Sequence, residues 1–317
     1  MAPDWSRHAL KTILITGANG FVGNHLAREL AENGYRVIGI GGRLGTSEQS
    51  PYLADYRVID LTDSVATQAI DFSEIDGVIH LAGLAAVGPS FDDPMRYVDV
   101  NVGIEVNLFE TALRQAVTPR FVIISSGALY DSAAALPLTE ASTVVPSSPY
   151  AVSKLGQEHM AHYYDSRDFE SIIARPFNHI GPGQGPGFIV PDFAQQLIKV
   201  EKGKSDKITV GNLDAERDYT DVRDIARAYR LLLESGKPGQ TYNICSGTAR
   251  SGHAVLEALT TASGITATVY QDAARLRPSD NPVVYGDHSK LTADTGWKPT
   301  ITFEQTMADV IADWRNR

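Results

Sequence analysis

Residues 12–23 read TILITGANGFVG, and this stretch decides the fold. Its first five residues are apolar or β-branched, as in a strand buried on both faces. Gly17, Gly20 and Gly23 follow at once in GxxGxxG spacing, with Asn19, Phe21 and Val22 between them. Bare backbone allows close approach to a pyrophosphate, and a helix that starts there offers unpaired N–H groups to the anion. Val22, Leu26 and Leu30 then share one helix face until Asn33-Gly34 ends it. A glycine turn between a strand and a helix opens a dinucleotide-binding βαβ unit.

Working outward, the same alternation repeats. Residues 36–40 (RVIGI), 57–61 (RVIDL), 77–81 (GVIHL), 120–125 (RFVIIS) and 171–174 (SIIA) read as further buried strands. Helices are expected after Asp93-Pro94 and Ser148-Pro149, each pairing a capping side chain with a first-turn proline. The fold class is α/β, a doubly wound parallel Rossmann sheet. After Pro176 the chain changes character, with the glycine- and proline-rich loop GPGQGPG at 181–187, more helix and scattered strands. Residues 1–175 are assigned to a nucleotide-binding domain and 176–317 to a smaller α+β substrate lobe. The segment near 220–250, with a helix from Asp221 and a buried strand TYNIC at 241–245, is expected to rejoin the main sheet. Thr302 and Gln305 are spaced as a capping box for the last helix.

Composition narrows the function. A net charge of −10 argues against a general nucleic-acid or membrane-surface binder. The one cysteine, Cys245, forms no internal bridge and suits a reducing compartment. No run is apolar enough to span a bilayer, and the N-terminus lacks a signal-peptide core, so a cytoplasmic protein is expected. No metal-ligand cluster is seen, and none is expected.

The end of the second strand speaks to the choice of cofactor. An NAD enzyme places Asp or Glu there for the ribose 2′-hydroxyl, whereas this chain has Gly41, Gly42 and Arg43. A missing carboxylate and a nearby arginine favour NADP(H) over NAD(H). Arg43 is otherwise a solvated loop residue. Asp60, ending the third strand, either accepts from the adenine amino group or caps the following turn.

Tyr150 and Lys154 are four residues apart on one helix face. An ammonium beside a phenol is expected to lower its pKa, so Tyr150 exchanges a proton with a substrate oxygen as hydride moves. Ser126, at the end of the fifth strand, is placed to hydrogen-bond the same oxygen, or else satisfies its own backbone.

These motifs, with HLAG (80–83), SSGALY (125–130), YAVSK (150–154) and RPFNHIGPGQ (175–184), resemble the extended short-chain dehydrogenase/reductase superfamily, the NAD-dependent epimerase/dehydratase family. VGNLDAERDYTDVRD (210–224), YNICSG (242–247), LRPSD (276–280) and TGWKP (295–299) narrow the resemblance to its GDP-6-deoxy-4-keto-D-mannose reductase branch, which forms GDP-D-rhamnose. The resemblance implies a Ser126, Tyr150, Lys154 triad. It implies cofactor contacts at Asp60, Leu61, Leu81, Ala82 and Gly83 besides the glycine loop. It implies nucleotide-sugar contacts at Asn178, Val190, Arg217, Arg277 and Asp280. It also implies a homodimer through helices near 94–115 and 149–166. One departure is Asp131, where the family has glycine.

Within the family, a dehydratase carries a carboxylate just after the catalytic Ser or Thr, and the epimerising GDP-fucose synthases carry a cysteine two residues after it. Here those places hold Gly127 and Ala128. That leaves reduction of the C4 ketone of a GDP-linked 4-keto-6-deoxy sugar as the expected activity. A nucleotide-sugar 4-epimerase with tightly bound NAD is the alternative. A non-catalytic NADP-binding sensor is a second alternative, disfavoured by the intact triad.

Overall fold

The structure, a computed structural model, describes residues 11–42, 50–272 and 282–317. The first lobe runs β1 (Thr12–Thr16), α1 (Phe21–Glu32), β2 (Arg36–Gly41), β3 (Asp55–Val58), α2 (Ser64–Thr67), β4 (Gly77–His80), α3 (Pro94–Arg114), β5 (Arg120–Ile124), α4 (Pro149–Asp165) and β6 (Glu170–Pro176). There follow β7 (Asn178–Ile180), α5 (Ile189–Glu201), β8 (Lys207–Val210), β9 (Glu216–Asp221), α6 (Val222–Ser235) and β10 (Thr241–Ile244). The chain closes with β11 (Ala249–Ser251), α7 (Gly252–Ser263), β12 (Thr268–Gln271), β13 (Val283–Val284), α8 (Ser289–Thr295) and α9 (Phe303–Asn316).

The main sheet is seven-stranded and parallel, in the order β10-β6-β5-β4-β1-β2-β3. The doubly wound Rossmann architecture read from the strand–helix alternation is what forms. Ile13, Ile15, Val37 and Ile79 point to a core shared with α1 and α6, whereas Leu14, Ile38, Val78 and Phe121 point to one shared with α3 and α4. Successive residues of β1 thus enter opposite cores, which is why the strand carries no polar face. β10 pairs with β6 at the sheet edge, so the segment from α6 to β10 builds on the first lobe. The second lobe has its own core, made by Val190, Phe193, Leu197, Val255, Leu259, Met307 and Ile311 from α5, α7 and α9.

The helix starts follow their caps: Asp93 accepts from the Arg96 N–H, and Ser148 from the Ala151 N–H. Two details depart from the sequence expectation. The third strand occupies 55–58 instead of 57–61, so Asp60 lies beyond it. At the sheet edge it pairs, among the described residues, with β2 alone, and Asp60 Oδ1 bends the chain away by accepting from the N–H and hydroxyl of Thr62. The capping box of α9 is half formed: Thr302 accepts from the Gln305 N–H, but the Gln305 amide turns to Asp309. No helix among the described residues is long and apolar enough to cross a membrane.

Candidate functional site

The glycine loop is packed as a cradle at the carboxyl ends of β1 and β4. Gly17 has φ +71°, and a Cβ there would lie 3.0 Å from the Ala82 nitrogen. A Cβ on Gly23 would lie 2.4 Å from the Gly17 carbonyl oxygen, so only glycine lets the first turn of α1 close on the loop. Gly20 caps α1 without a side chain over the first-turn N–H groups. The Leu81 and Ala82 N–H groups are held by the Thr16 carbonyl and hydroxyl, which fixes residues 81–83 beside the loop. Gly83, at φ +150°, sits against the Asn101 side chain. A side-chain-free cradle at a helix N-terminus fits a dinucleotide pyrophosphate.

Phe21 and Val22 are half-buried at the start of α1, and Asn19 is exposed on the loop. Leu61 is buried in the core under α3, and Asp60 is exposed, its turn-capping bond lowering its pKa. Arg43 lies outside the described residues.

Ser126 directly follows β5. Its Oγ accepts from the Ala128 N–H at 3.1 Å and lies near enough to the Tyr150 phenol to draw its pKa down. Tyr150, in the first turn of α4, is 8% exposed, and Lys154 is 7% exposed on the same face. The Lys154 ammonium donates to the Ile124 carbonyl and to Gln157 Oε1, both at 2.8 Å. Burial lowers its pKa to about 8, against the opposing pull of Glu105 and Glu158.

The expected electrostatic link from Lys154 to Tyr150 takes a different form. Burial pushes the phenol up, the Ser126 hydroxyl draws it down, and Tyr97 nearby adds a little upward. The ammonium is committed to the end of β5 and to Gln157, so it does not set this balance. A phenol kept protonated is in the form that donates a proton.

A polar layer beneath α4 escaped the sequence reading. Glu158 and Arg175 form a buried two-point ion pair at 2.8 and 2.6 Å, and the Ser125 hydroxyl also donates to Glu158. Asn101 donates to Ser153, which donates to the Tyr150 carbonyl at 2.8 Å. Glu105 is wholly buried, and burial pushes its carboxyl well above the usual range. The available signal was periodicity: Tyr150, Ser153, Lys154, Gln157 and Glu158 share one buried face, while the apolar Val152 is exposed. An amphipathic reading in terms of hydrophobicity alone inverts this helix.

The positions beside Ser126 have a structural cause. Gly127 is buried, and a Cβ there would lie 3.0–3.2 Å from the ring atoms of Phe177. Phe177 thus stands where an acidic side chain at 127 would have to begin. Cys245 packs in the same cluster as Phe177 and Tyr130, and burial raises its thiol pKa far above the ordinary value, which leaves it unreactive. Asp131 needs no glycine-like backbone: its carboxylate accepts from the Ala133 N–H, and its N–H donates to the Thr143 carbonyl.

Of the residues expected to meet the sugar nucleotide, Asn178 is exposed at the start of β7, beside β9, which carries Arg217. Arg217 also donates to the Glu216 carbonyl. Val190 is fully buried in the second-lobe core, so its side chain is committed to packing instead of ligand contact. Arg277 and Asp280 lie outside the described residues. The loop at 181–187 is pinned from both lobes. His25 of α1 meets the Pro182 carbonyl at 2.9 Å, and Asp313 of α9 accepts from the Gly183 N–H at 2.9 Å.

Comparison with known proteins agrees with this geometry. The sequence profile of the GDP-mannose 4,6 dehydratase family matches residues 14–310. The chain is 34% identical to the GDP-6-deoxy-D-mannose reductase of Pseudomonas aeruginosa, covering 96% of this chain and 97% of the relative. It is 31% identical to a UDP-glucose 4-epimerase of Neisseria meningitidis, covering 96% and 97%. Among solved structures, RMD from Pseudomonas aeruginosa complexed with NADPH superposes with a TM-score of 0.84 at 33% identity, covering 97% of this chain and all of that one. UDP-glucose 4-epimerase of Thermotoga maritima with UDP-glucose gives 0.85 at 26% identity, covering 96% and 99%. The chain therefore belongs to the GDP-mannose 4,6 dehydratase family of epimerases and dehydratases, within the extended short-chain dehydrogenases/reductases.

Proposed function

We propose that this protein is a nucleotide-sugar 4-ketoreductase. It uses NADPH to reduce the C4 ketone of a GDP-linked 4-keto-6-deoxy-hexose, giving GDP-D-rhamnose or its C4 epimer. The observation that carries the reading is the pair Gly127 and Ala128 beside a complete Ser126, Tyr150, Lys154 set. Ketone reduction needs one proton and one hydride. The first is available from the buried Tyr150 phenol, and the site offers no additional acid or base next to Ser126 for dehydration or for epimerisation at C3 and C5.

A reduced nicotinamide supplies the hydride when bound. Ser126 orients the ketone oxygen, and Tyr150 delivers its proton to that oxygen. Lys154, fixed by Ile124 and Gln157, would hold the ribose of the cofactor. Asn178, Arg217, Arg277 and Asp280 are assigned to the sugar nucleotide, the arginine forks matching a diphosphate. The glycine loop, Leu81, Ala82 and Gly83 are assigned to the cofactor, with Arg43 on its 2′-phosphate. The reductase relative and the structure of RMD complexed with NADPH, both from Pseudomonas aeruginosa, support the GDP sugar and NADP(H) over NAD(H).

A homodimer is assigned to α3 and α4, where Met95 (64% exposed) and Val152 (50%) form an apolar face with Pro94 and Pro149. A cytoplasmic location matches the buried, unbridged Cys245.

The test is to incubate the protein with NADPH and GDP-4-keto-6-deoxymannose, follow nicotinamide absorbance, and identify the sugar product. Stoichiometric NADPH oxidation with a 6-deoxyhexose product is expected. Absence of oxidation, together with C4 inversion of a UDP-sugar without added cofactor, refutes the reductase reading in favour of the epimerase.

A further inference from the structure

We propose that Tyr56 is a specificity-determining residue for the cofactor. Its phenol fills the place at the end of β2 where a carboxylate would hold an unphosphorylated ribose, and offers a neutral hydroxyl to a 2′-phosphate instead. This inference deepens the NADP(H) reading above and rests on it.

β2 reads RVIGIG, and Gly39 and Gly41 fall on the same face of the strand, both buried. Glycine inside a strand weakens it and marks close approach of another group. At Gly41 the group that approaches closest is Tyr56, from the neighbouring β3, where it pairs opposite Gly39. A Cβ on Gly39 would lie 2.8 Å from the Ala18 Cβ, 2.9 Å from Leu53 Cδ1 and 3.1 Å from the Tyr56 ring, and a Cβ on Gly41 would lie 2.2 Å from the Tyr56 hydroxyl oxygen. Asn19 Oδ1, from the glycine loop, would lie 2.6 Å from that same Cβ. The two glycines thus form a groove two residues long, the ring lies in it, and the hydroxyl reaches the glycine loop at the point where a residue-41 side chain would start.

The chemistry follows from what each ribose needs. A free 2′-hydroxyl is held by an acceptor, and the Asp or Glu that ends the second strand in NAD enzymes supplies one. A 2′-phosphate repels that carboxylate and takes donors. At residue 41 this chain has no side chain, and the space carries a phenol. Burial raises the Tyr56 pKa, so the group is an uncharged O–H at neutral pH.

The experiment titrates NADPH and NADH separately onto the full chain, reading dissociation constants from tryptophan quenching and fold from thermal melting. Wild type, Tyr56→Phe, Tyr56→Ala, Gly41→Asp and the double variant Gly41→Asp/Tyr56→Ala are compared. Tyr56→Phe keeps the packing and is expected to weaken NADPH about tenfold while leaving NADH unchanged, the loss of one hydrogen bond to a charged group. Gly41→Asp alone is expected to weaken both cofactors and lower the melting temperature, because the added carboxylate and the Tyr56 phenol compete for one volume. The double variant is expected to bind NADH at least about tenfold tighter than wild type does, and NADPH weaker.

Two results overturn the inference while leaving the NADP(H) reading intact. One is a wild type that prefers NADPH with a Tyr56→Phe ratio unchanged. The other is a Gly41→Asp single variant that gains NADH as fully as the double variant. A wild type that prefers NADH overturns the cofactor reading itself and this inference with it.

Discussion

Lys154→Met is expected to abolish reduction and yet stabilise the fold at neutral pH. Lys154 is 7% exposed, and burial lowers its pKa from 10.5 to about 8. At pH 7 the ammonium is still charged, so the folded state carries a charge it disfavours by about 3 kcal/mol relative to the unfolded chain. Methionine fills a similar volume without that charge, but it leaves the Ile124 carbonyl and Gln157 Oε1 without a donor, at about 1 kcal/mol each. A net gain on the order of 1 kcal/mol remains.

The sign fixes the pH dependence. The unfolded state holds the Lys154 proton more tightly, so wild-type stability arising from this group rises as pH climbs from 8 to 10.5. The variant lacks that rise. Its advantage is therefore full below pH 8 and disappears toward pH 10.5. Urea unfolding of both proteins at pH 7, 8.5 and 10, followed by far-UV circular dichroism, measures it. A variant less stable than wild type by more than about 1 kcal/mol at pH 7, or a difference that does not change with pH, refutes the reasoning.

Other consequences are equally concrete. Glu158→Gln strands the buried Arg175 guanidinium and is expected to cost about 3–5 kcal/mol in urea unfolding; a loss below about 1 kcal/mol would mean the pair is not buried as described. Gly23→Ala places a Cβ 2.4 Å from the Gly17 carbonyl and is expected to raise the NADPH dissociation constant at least about tenfold, read by fluorescence titration, with the melting temperature monitored alongside. Met95→Glu on the apolar face of α3 is expected to convert a dimer to a monomer in light scattering; an unchanged mass would place the interface elsewhere.

The cofactor half of the molecule was legible from local pattern because its rules are local. Apolar runs buried on both faces announced the parallel sheet, and the glycine spacing after β1 announced the cradle. Asp93 and Ser148 marked the helix starts. Motif resemblance supplied the proposed catalytic set, and Gly127 and Ala128 narrowed the proposed chemistry. The misplaced third strand shows the limit of that approach: an edge strand has one partner, so pairing with β2, not apolar content, sets its length.

Tertiary structure decided what depends on residues distant in sequence. Phe177 explains why residue 127 is glycine, and Tyr56 explains the bare end of β2; in each case the missing side chain is replaced by one from another strand or segment. Val190 belongs to the second-lobe core because α5, α7 and α9 close around it. The polar layer under α4 exists because Glu158 meets Arg175 of β6, and Lys154 meets the end of β5. A sequence records which positions lack a side chain or carry a charge. Which neighbour fills the space or pairs with the charge is fixed only when the sheet brings remote strands within contact distance.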